Sequence, residues 1–177
     1  MKEPASLWNE LGIPADYAAR RGLLPQPEAT QLIRIGVTTD GRELLLTPTT
    51  AIAWEQMQRA AETNGIALQA VSAFRSVARQ AEIIRAKLTR GETIEAILAV
   101  NAAPGYSEHH TGRALDLNTP GCLPLTEDFA KTTAFGWLTG HATRFGFRLS
   151  FPRENSHGIA FEPWHWCWVE TSAPIKS

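Results

Sequence analysis

Hydrophobic and polar positions along the chain follow two different periods, and together they predict both helices and strands. Between residues 50 and 64 apolar side chains recur every three or four positions, which is typical of an amphipathic helix, and Gly65 ends it. The segments 32–38 and 43–47 flank a turn-forming sequence at 39–42 and predict a β-hairpin. The pattern therefore predicts a hairpin followed directly by a helix.

The remaining pattern predicts four further strands and four further helices. The strands are expected at 66–72, 113–117, 147–151 and within 163–169, and the helices near 15–21, at 76–88, at 94–100 and at 126–146. Strands and helices of this kind predict an α+β fold, a single domain whose sheet is mostly antiparallel with helices packed on it. We expect residues 1–45, with four prolines among the first 30, to form an extension and the start of the hairpin, packed on a domain of residues 46–177.

Charge and length exclude several classes of protein. A chain of 177 residues with 44% hydrophobic residues suffices for one compact core, and its 17 basic and 18 acidic residues nearly cancel. Nucleic acid and membranes are therefore not expected as partners. The N-terminus lacks the apolar stretch of a secretion signal, which favours a cytoplasmic protein, with export of a trimmed form as the alternative. Cys122 and Cys167 lack metal-site or disulfide-framework spacing, and we expect both to be reduced.

Candidate metal ligands stand in the sequence SEHHTGRALD, residues 107–116. His109 and Asp116 are seven residues apart, and Gly112 between them allows the chain to bend so that both side chains converge. A lone histidine is more often a packed residue than a ligand, so this pair needs a third partner from elsewhere in the chain.

The sequence FEPWHWCW, residues 161–168, offers that partner. His165 lies three residues after Glu162, and Pro163 predicts a turn or bulge that turns both side chains toward one cleft. Two histidines and one carboxylate leave a tetrahedral zinc ion one open position, and an unligated glutamate would be its general base. The alternative, which the spacing leaves open, is a tryptophan-rich core strand with a hydrogen-bonded histidine.

Three segments resemble the motifs of one enzyme family. SEHHTGRALD resembles the SxHxxGxAxD motif of the VanY-like D-alanyl-D-alanine carboxypeptidases of the LAS group of zinc peptidases, and EPWHW resembles their second signature. SAFRSVARQ, residues 72–80, is similar to their substrate-binding segment. The three occur in the family's order, and the resemblance covers about residues 54–169. It implies a small LAS/hedgehog-like α+β fold with a zinc cleft.

The resemblance also implies the residues of the site. One zinc ion per chain would be held by His109, Asp116 and His165, with Glu162 as the catalytic base. Because a structural zinc site has no use for a spare carboxylate, Glu162 argues against a non-catalytic zinc-binding module.

Substrate contacts follow from the same resemblance. Arg75 would hold the substrate and stabilise charge on the scissile carbonyl, and Ser107 and Gln80 would bind the C-terminal end of the peptide. The implied activity is zinc-dependent removal of a C-terminal D-alanine from peptidoglycan stem peptides. L,D-carboxypeptidase, D,D-dipeptidase and phage-type endopeptidase activities remain alternatives, and nothing in the sequence indicates the oligomeric state.

The three other histidines are expected outside the metal site. His110 is predicted to be a bystander and His141 a structural residue within a helix, whereas His157 could line the mouth of the cleft. Trp54 and Trp137 are expected in the core, and one of two other tryptophans, 164 or 166, is expected to line the pocket.

Overall fold

A computed structural model describes residues 4–170 of the chain. Within them the helices are α1 (Pro4–Leu11), α2 (Tyr17–Arg20), α3 (Pro48–Thr63), α4 (Val77–Thr89), α5 (Ile94–Ala99) and α6 (Thr133–His141). The strands are β1 (Ile33–Val37), β2 (Glu43–Leu46), β3 (Gln69–Ser72), β4 (Ala114–Asn118), β5 (Phe147–Leu149) and β6 (His165–Trp168). Three 3₁₀ helices lie at Glu108–Thr111, Glu127–Lys131 and Ala142–Phe145.

A four-stranded sheet in the order β3-β4-β6-β5 carries Ser72, Asp116 and His165 of the sequence motifs, and all its neighbouring strands are antiparallel. Ser72 pairs with Asp116, and Asp116 pairs with His165, so the three form one row across the sheet. Directly paired residues project from the same face of a sheet. The sheet register therefore brings Asp116 and His165 together, and the predicted α+β fold with an antiparallel sheet is confirmed.

The opposite face of the sheet forms the main hydrophobic core. Leu115 and Leu117 flank Asp116 in β4 and are fully buried, as the alternation of side chains along a strand requires. They share this core with residues of α3 and α6, including Trp54 and Trp137, as the sequence predicts. One strand thus anchors the core with one face and supplies a polar side chain with the other.

A second hydrophobic cluster joins the N-terminal helices to α4 and α5. Trp8 of α1 packs against Tyr17, with ring centroids 5.9 Å apart, and its indole N–H donates to the Pro104 carbonyl at 2.9 Å. Ile84 of α4 and Ile97 of α5 are fully buried in the same cluster. The N-terminal segment therefore packs on the helix that follows the predicted substrate-binding segment.

The prediction of a single short helix in the first 30 residues is wrong, because α1 precedes it. Leu7, Trp8 and Leu11 lie on one face of α1 and are buried.

The single helix predicted at 126–146 is also wrong. Thr132 has an extended backbone (φ −85°, ψ 154°), and its hydroxyl accepts a hydrogen bond from the N–H of Phe135. Thr132 therefore separates the 3₁₀ helix at Glu127–Lys131 from α6 and is the N-cap of α6. The 3₁₀ helix at Ala142–Phe145 follows α6. The segment does end at Gly146 as predicted, at φ 83°, where a Cβ atom would lie 2.6 Å from Nε1 of Trp168.

Several predicted bounds shift by a few residues. The strand predicted from residue 66 begins at Gln69, because the N–H of Ile66 bonds to the Ala61 carbonyl at the end of α3. The strand predicted at 147–151 ends at Leu149. Residues 171–177, which we assigned to the domain, lie outside the described residues. Within residues 4–170 no helix has the length and apolar character needed to cross a membrane.

Candidate active site

All seven residues that the sequence motifs nominate line one cleft of about 360 Å³. They are Arg75, Gln80, Ser107, His109, Asp116, Glu162 and His165. Arg75 follows β3, and Gln80 lies in α4. Ser107 lies directly before the 3₁₀ helix at 108–111, and His109 lies within it. Asp116 lies in β4, Glu162 at the turn before β6, and His165 in β6. The fold therefore brings together side chains separated by up to 90 positions in the sequence.

Asp116 is the centre of a buried group of possible metal ligands. Its Oδ2 lies 3.2 Å from Nε2 of His109, and its Oδ1 lies 3.0 Å from Nδ1 of His165. The two imidazole rings are nearly perpendicular, with centroids 4.9 Å apart. One ligand atom from each residue can be chosen so that all three lie within 4.8 Å of one another.

The local backbone explains how His109 reaches this group. The 3₁₀ helix that carries it ends at Gly112, which has φ 64°, and a Cβ atom there would lie 2.9 Å from Cδ2 of Leu32 and 3.2 Å from the Thr47 backbone nitrogen. Only glycine accommodates both the positive φ and the close approach. Gly112 therefore provides the bend that the sequence predicts between His109 and Asp116.

The donor set fits a zinc ion. Two imidazole nitrogens and one carboxylate oxygen are ligands that zinc binds in tetrahedral sites with one open position, and one such atom from each residue lies within 4.8 Å of the others. Nδ1 of His109 donates to the Ala73 carbonyl at 2.6 Å, which leaves Nε2 of this ring free of a proton and able to bind a metal. Among residues 4–170 this is the one group of three or more His, Cys, Asp or Glu with such a geometry.

Glu162 lies beside the trio without belonging to it. The turn at 163–164 predicted from Pro163 is present, since the N–H of His165 bonds to the Glu162 carbonyl. The Glu162 carboxylate lies 3.9 Å from Nδ1 of His165. Burial raises the pKa of Glu162 to about 7, against the opposing effect of His165. A carboxyl group with this pKa is suited to accept and return a proton near neutral pH.

Arg75 is held beside Asp116 in the cleft by side-chain contacts. Its guanidinium donates to Oε1 of Gln80 at 2.9 Å and to the Ser72 hydroxyl at 3.2 Å, and it lies 3.9 Å from Asp116. The Gln80 amide in turn donates to the Ala102 carbonyl at 2.7 Å. These contacts fix the guanidinium beside the possible metal ligands and leave Gln80 nearly fully buried.

Burial and neighbouring charges shift the pKa values of the three candidate ligand residues in opposite directions. Burial alone would lower the pKa of His165, but hydrogen bonds to Asp116 and Glu108 raise it to about 10. Burial would likewise raise the pKa of Asp116, but His109 and His165 hold it below its usual value. Burial lowers the pKa of His109 despite the neighbouring Asp116, so this ring is neutral at neutral pH.

Sequence reasoning missed Glu108, whose carboxylate contacts His165. Its Oε2 lies 3.0 Å from Nε2 of His165, and its Oε1 lies 3.6 Å from the exposed guanidinium of Arg148. Glu108 stands directly before the first candidate ligand in the motif, which is a signal for proximity to the site. Its contact with a residue 57 positions later depends on the fold and could not be inferred from that spacing.

His110 is more than a bystander, although it does not face the trio. It is fully buried, its Nδ1 donates to the Arg75 carbonyl at 2.6 Å, and its Nε2 accepts from the N–H of Gly105 at 3.1 Å. Through these bonds it fixes the backbone that carries Arg75.

The other two histidines bind backbone carbonyls. His141 stacks on Trp137 and donates to its carbonyl at 2.9 Å, as expected for a structural residue. His157, which we expected could line the mouth of the cleft, instead donates to the Arg21 carbonyl at 2.9 Å and is absent from the cleft lining among the described residues. Of the two candidate tryptophans, Trp164 lines the cleft and Trp166 is buried in the core.

Comparisons with known proteins match most of the chain to one family. The sequence model of the VanY family, described as D-alanyl-D-alanine carboxypeptidase, matches residues 43–171. The chain is 30% identical over 127 residues to a D-alanyl-D-alanine carboxypeptidase of Enterococcus faecalis, a match that covers 66% of this chain and 46% of the relative. The chain thus spans about half the length of the curated relatives it matches.

Solved structures share the fold. The LD-carboxypeptidase LdcB superposes with a TM-score of 0.71 at 30% identity, over 80% of this chain and 69% of that one. The vancomycin resistance D,D-pentapeptidase VanY in complex with Zn(II) superposes with a TM-score of 0.66 at 25% identity, over 82% and 83%. VanYB in complex with D-alanine-D-alanine gives the same TM-score and identity, over 84% and 82%.

The family match covers most of the chain and includes the candidate ligands, Glu162 and Arg75. This chain belongs to the VanY D-alanyl-D-alanine carboxypeptidase family.

Proposed function

We propose that this chain is a zinc-dependent D,D-carboxypeptidase that removes a C-terminal D-alanine from peptidoglycan-type peptides. The observation that carries the proposal is the buried His109–Asp116–His165 group with an unligated carboxylate, Glu162, at its edge. The VanY family match and the Zn(II) complex of VanY support zinc as the metal. The D-alanine-D-alanine complex of VanYB supports the substrate class.

Glu162 is the proposed general base. Zn²⁺ held by the three ligands would supply a Lewis acid for the scissile carbonyl and lower the pKa of water in the site. Glu162 accepts a proton from the water that attacks the carbonyl carbon, and it then delivers this proton to the nitrogen of the leaving D-alanine. Its pKa of about 7 suits both directions of transfer.

Arg75 is proposed to stabilise the negative charge that develops on the carbonyl oxygen. Its planar guanidinium remains protonated and lies near Asp116 on the cleft wall, where fixed donors act without reorganisation. Gln80 accepts a hydrogen bond from this guanidinium, and its contacts favour a role in orienting Arg75 in addition to any contact with the peptide.

The free C-terminal carboxylate of the peptide is the proposed specificity determinant. Arg75, Gln80 and Ser107 line the same cleft and supply hydrogen-bond donors for it. A site built around a charged group disfavours its loss, because the buried donors then remain unpaired. We therefore expect an exopeptidase rather than an endopeptidase.

A second candidate is L,D-carboxypeptidase activity on the same site. The observation that favours it is the TM-score of 0.71 to LdcB, compared with 0.66 for VanY. The two activities differ in the residue that precedes the leaving D-alanine, which is a D-residue in one case and an L-residue in the other.

Defined peptides distinguish these activities. The zinc-loaded protein is incubated with a stem peptide ending in D-Ala-D-Ala, with the same peptide amidated at its C-terminus, and with a peptide ending in an L-residue and one D-alanine. Mass spectrometry is expected to detect loss of one D-alanine from the first peptide, at a rate at least ~10-fold above that for the amidated peptide. Equal rates for these two would indicate an endopeptidase, and exclusive cleavage of the third would indicate an L,D-carboxypeptidase.

A further inference from the structure

The two candidate histidine ligands have different hydrogen-bond partners on the side away from Asp116. His109 donates from Nδ1 to the backbone carbonyl of Ala73, which is neutral. His165 contacts a carboxylate, since its Nε2 lies 3.0 Å from Oε2 of Glu108. The ring of His165 is therefore flanked by carboxylates at both nitrogens, with Asp116 3.0 Å from Nδ1.

Glu108 is fixed in this position. Its side chain is 15% exposed, and its second oxygen lies 3.6 Å from Arg148 of β5, the strand next to β6. The Glu108 carboxylate thus spans from the surface cation to the buried ring. Because a carboxylate only accepts hydrogen bonds, it favours the form of His165 that carries a proton on Nε2.

We infer that Glu108 is a positioning residue that holds the Nε2–H tautomer of His165 and so directs the Nδ1 lone pair toward the metal. The inference rests on the proposed zinc site, and it deepens that proposal by assigning a role to a residue outside the ligand set. A carboxylate behind a histidine ligand orients the ring and increases its basicity, and removal of such a partner typically weakens metal affinity about 10–100-fold.

Zinc affinity is the first test. Competition with a chromophoric chelator gives the dissociation constant for the wild type, Glu108→Ala and Glu108→Gln. Glutamine can still accept the hydrogen bond through its amide oxygen, so its loss of affinity should be smaller than the roughly 10–100-fold loss expected for alanine. Glu127→Gln is the matched control, because Glu127 is an exposed carboxylate paired with Arg153 away from the cleft lining.

Nuclear magnetic resonance provides a second readout that does not depend on turnover. In the zinc-loaded protein labelled with ¹⁵N-histidine, His165 is assigned by the signals missing from His165→Gln among the five histidines. A proton on Nε2 of His165 is expected in the wild type, protected from exchange by Glu108, and it should exchange rapidly in Glu108→Ala. Glu108→Gln should retain much of the protection.

The outcomes separate this inference from the proposed function. If wild type and Glu127→Gln bind zinc tightly and Glu108→Ala binds it equally well, the role of Glu108 is wrong and the metal site stands. The role of Glu108 is also wrong if Glu108→Gln binds zinc no more tightly than Glu108→Ala. If the wild type itself binds no zinc, the proposed function fails first. Circular dichroism spectra of each variant verify that the fold is retained.

Discussion

The two walls of the cleft are built in different ways. The strand wall consists of β4, β6 and the turn before β6, and the sheet register places Asp116 opposite His165. The helix wall consists of the segment after β3 and α4, where Arg75 is oriented by hydrogen bonds from its side chain to Gln80 and Ser72. The backbone of one wall fixes two of the proposed metal ligands, whereas the side chains of the other fix the cation that we propose for the substrate.

This difference implies that changes in the two walls have different consequences. Replacing a ligand in the strand wall should remove the metal, because each ligand supplies one of only three protein bonds to it. Replacing a residue of the helix wall should slow the reaction while the metal remains. His109 lies between the walls, since its ring faces Asp116 and its Nδ1 bonds to the segment after β3.

The largest effect on turnover with the metal retained is expected at Glu162. Glu162→Gln keeps the shape of the side chain and removes the base, so kcat should fall by roughly 10²–10⁴-fold, the usual contribution of a positioned general base. Elemental analysis should find unchanged zinc content. Near-normal turnover would contradict the assignment, and loss of zinc would place Glu162 among the ligands.

Arg75→Ala should give the next largest effect. Removal of one donor that stabilises a developing oxyanion lowers turnover by about 10²–10³-fold, and zinc content should not change because Arg75 is not a ligand. Arg79→Ala is the matched control, since Arg79 is an exposed arginine of the nearby helix α4 that pairs with Glu82 outside the cleft lining. A loss of zinc in Arg75→Ala would mean that the two walls do not act separately.

Zinc affinity should rise with pH. The Asp116 and Glu108 carboxylates raise the pKa of His165 to about 10 against the effect of burial, so zinc must displace a proton from this ring. The pKa of Glu162 is about 7, and that of His109 is lowered, so both are already deprotonated above neutral pH. Because one proton is displaced, the apparent zinc affinity should increase about tenfold for each pH unit, or roughly 30-fold between about pH 7.5 and pH 9.

Chelator competition at each pH, corrected for protonation of the chelator, measures this slope. An affinity that does not change over the range would show that His165 carries no proton before the metal binds.

The smallest of these effects is expected at Gln80. Gln80→Leu removes the acceptor that orients Arg75, and a hydrogen bond to a charged group contributes about 1.5–3 kcal/mol, so kcat/KM should fall at least ~10-fold. Zinc content should stay the same. The Arg75→Ala, Gln80→Leu double variant should be no worse than Arg75→Ala alone if Gln80 acts through Arg75, and additive losses would assign Gln80 a contact of its own.

The sequence predicts the local features of the site better than the contacts between distant segments. The spacing from His109 to Asp116 and the turn at Pro163 depend on local backbone geometry, and both predictions agree with the structure. The bonds of His110 to the Arg75 carbonyl and of Glu108 to His165 join distant segments, and no local pattern encodes them.

The predictions of the fold also succeed where the local sequence pattern is regular. The hydrophobic pattern predicts the hairpin, α3 and α4, whose apolar faces are regular. The hydrophobic pattern does not predict α1, which is short and lies in a proline-containing segment. It also misses the division of the predicted helix at Thr132, where the threonine side chain caps α6. The described buried face of α1 has only three residues, and the division at Thr132 depends on one side-chain hydrogen bond, so neither gives a clear periodic signal.

The metal content of wild type and His165→Ala tests the central claim most directly. Elemental analysis of both purified proteins, with circular dichroism as the control for folding, is expected to give about one zinc per chain for the wild type and almost none for the variant. His165 is one of three proposed ligands in the group around Asp116. A folded His165→Ala protein that keeps its full zinc content would contradict the site described here.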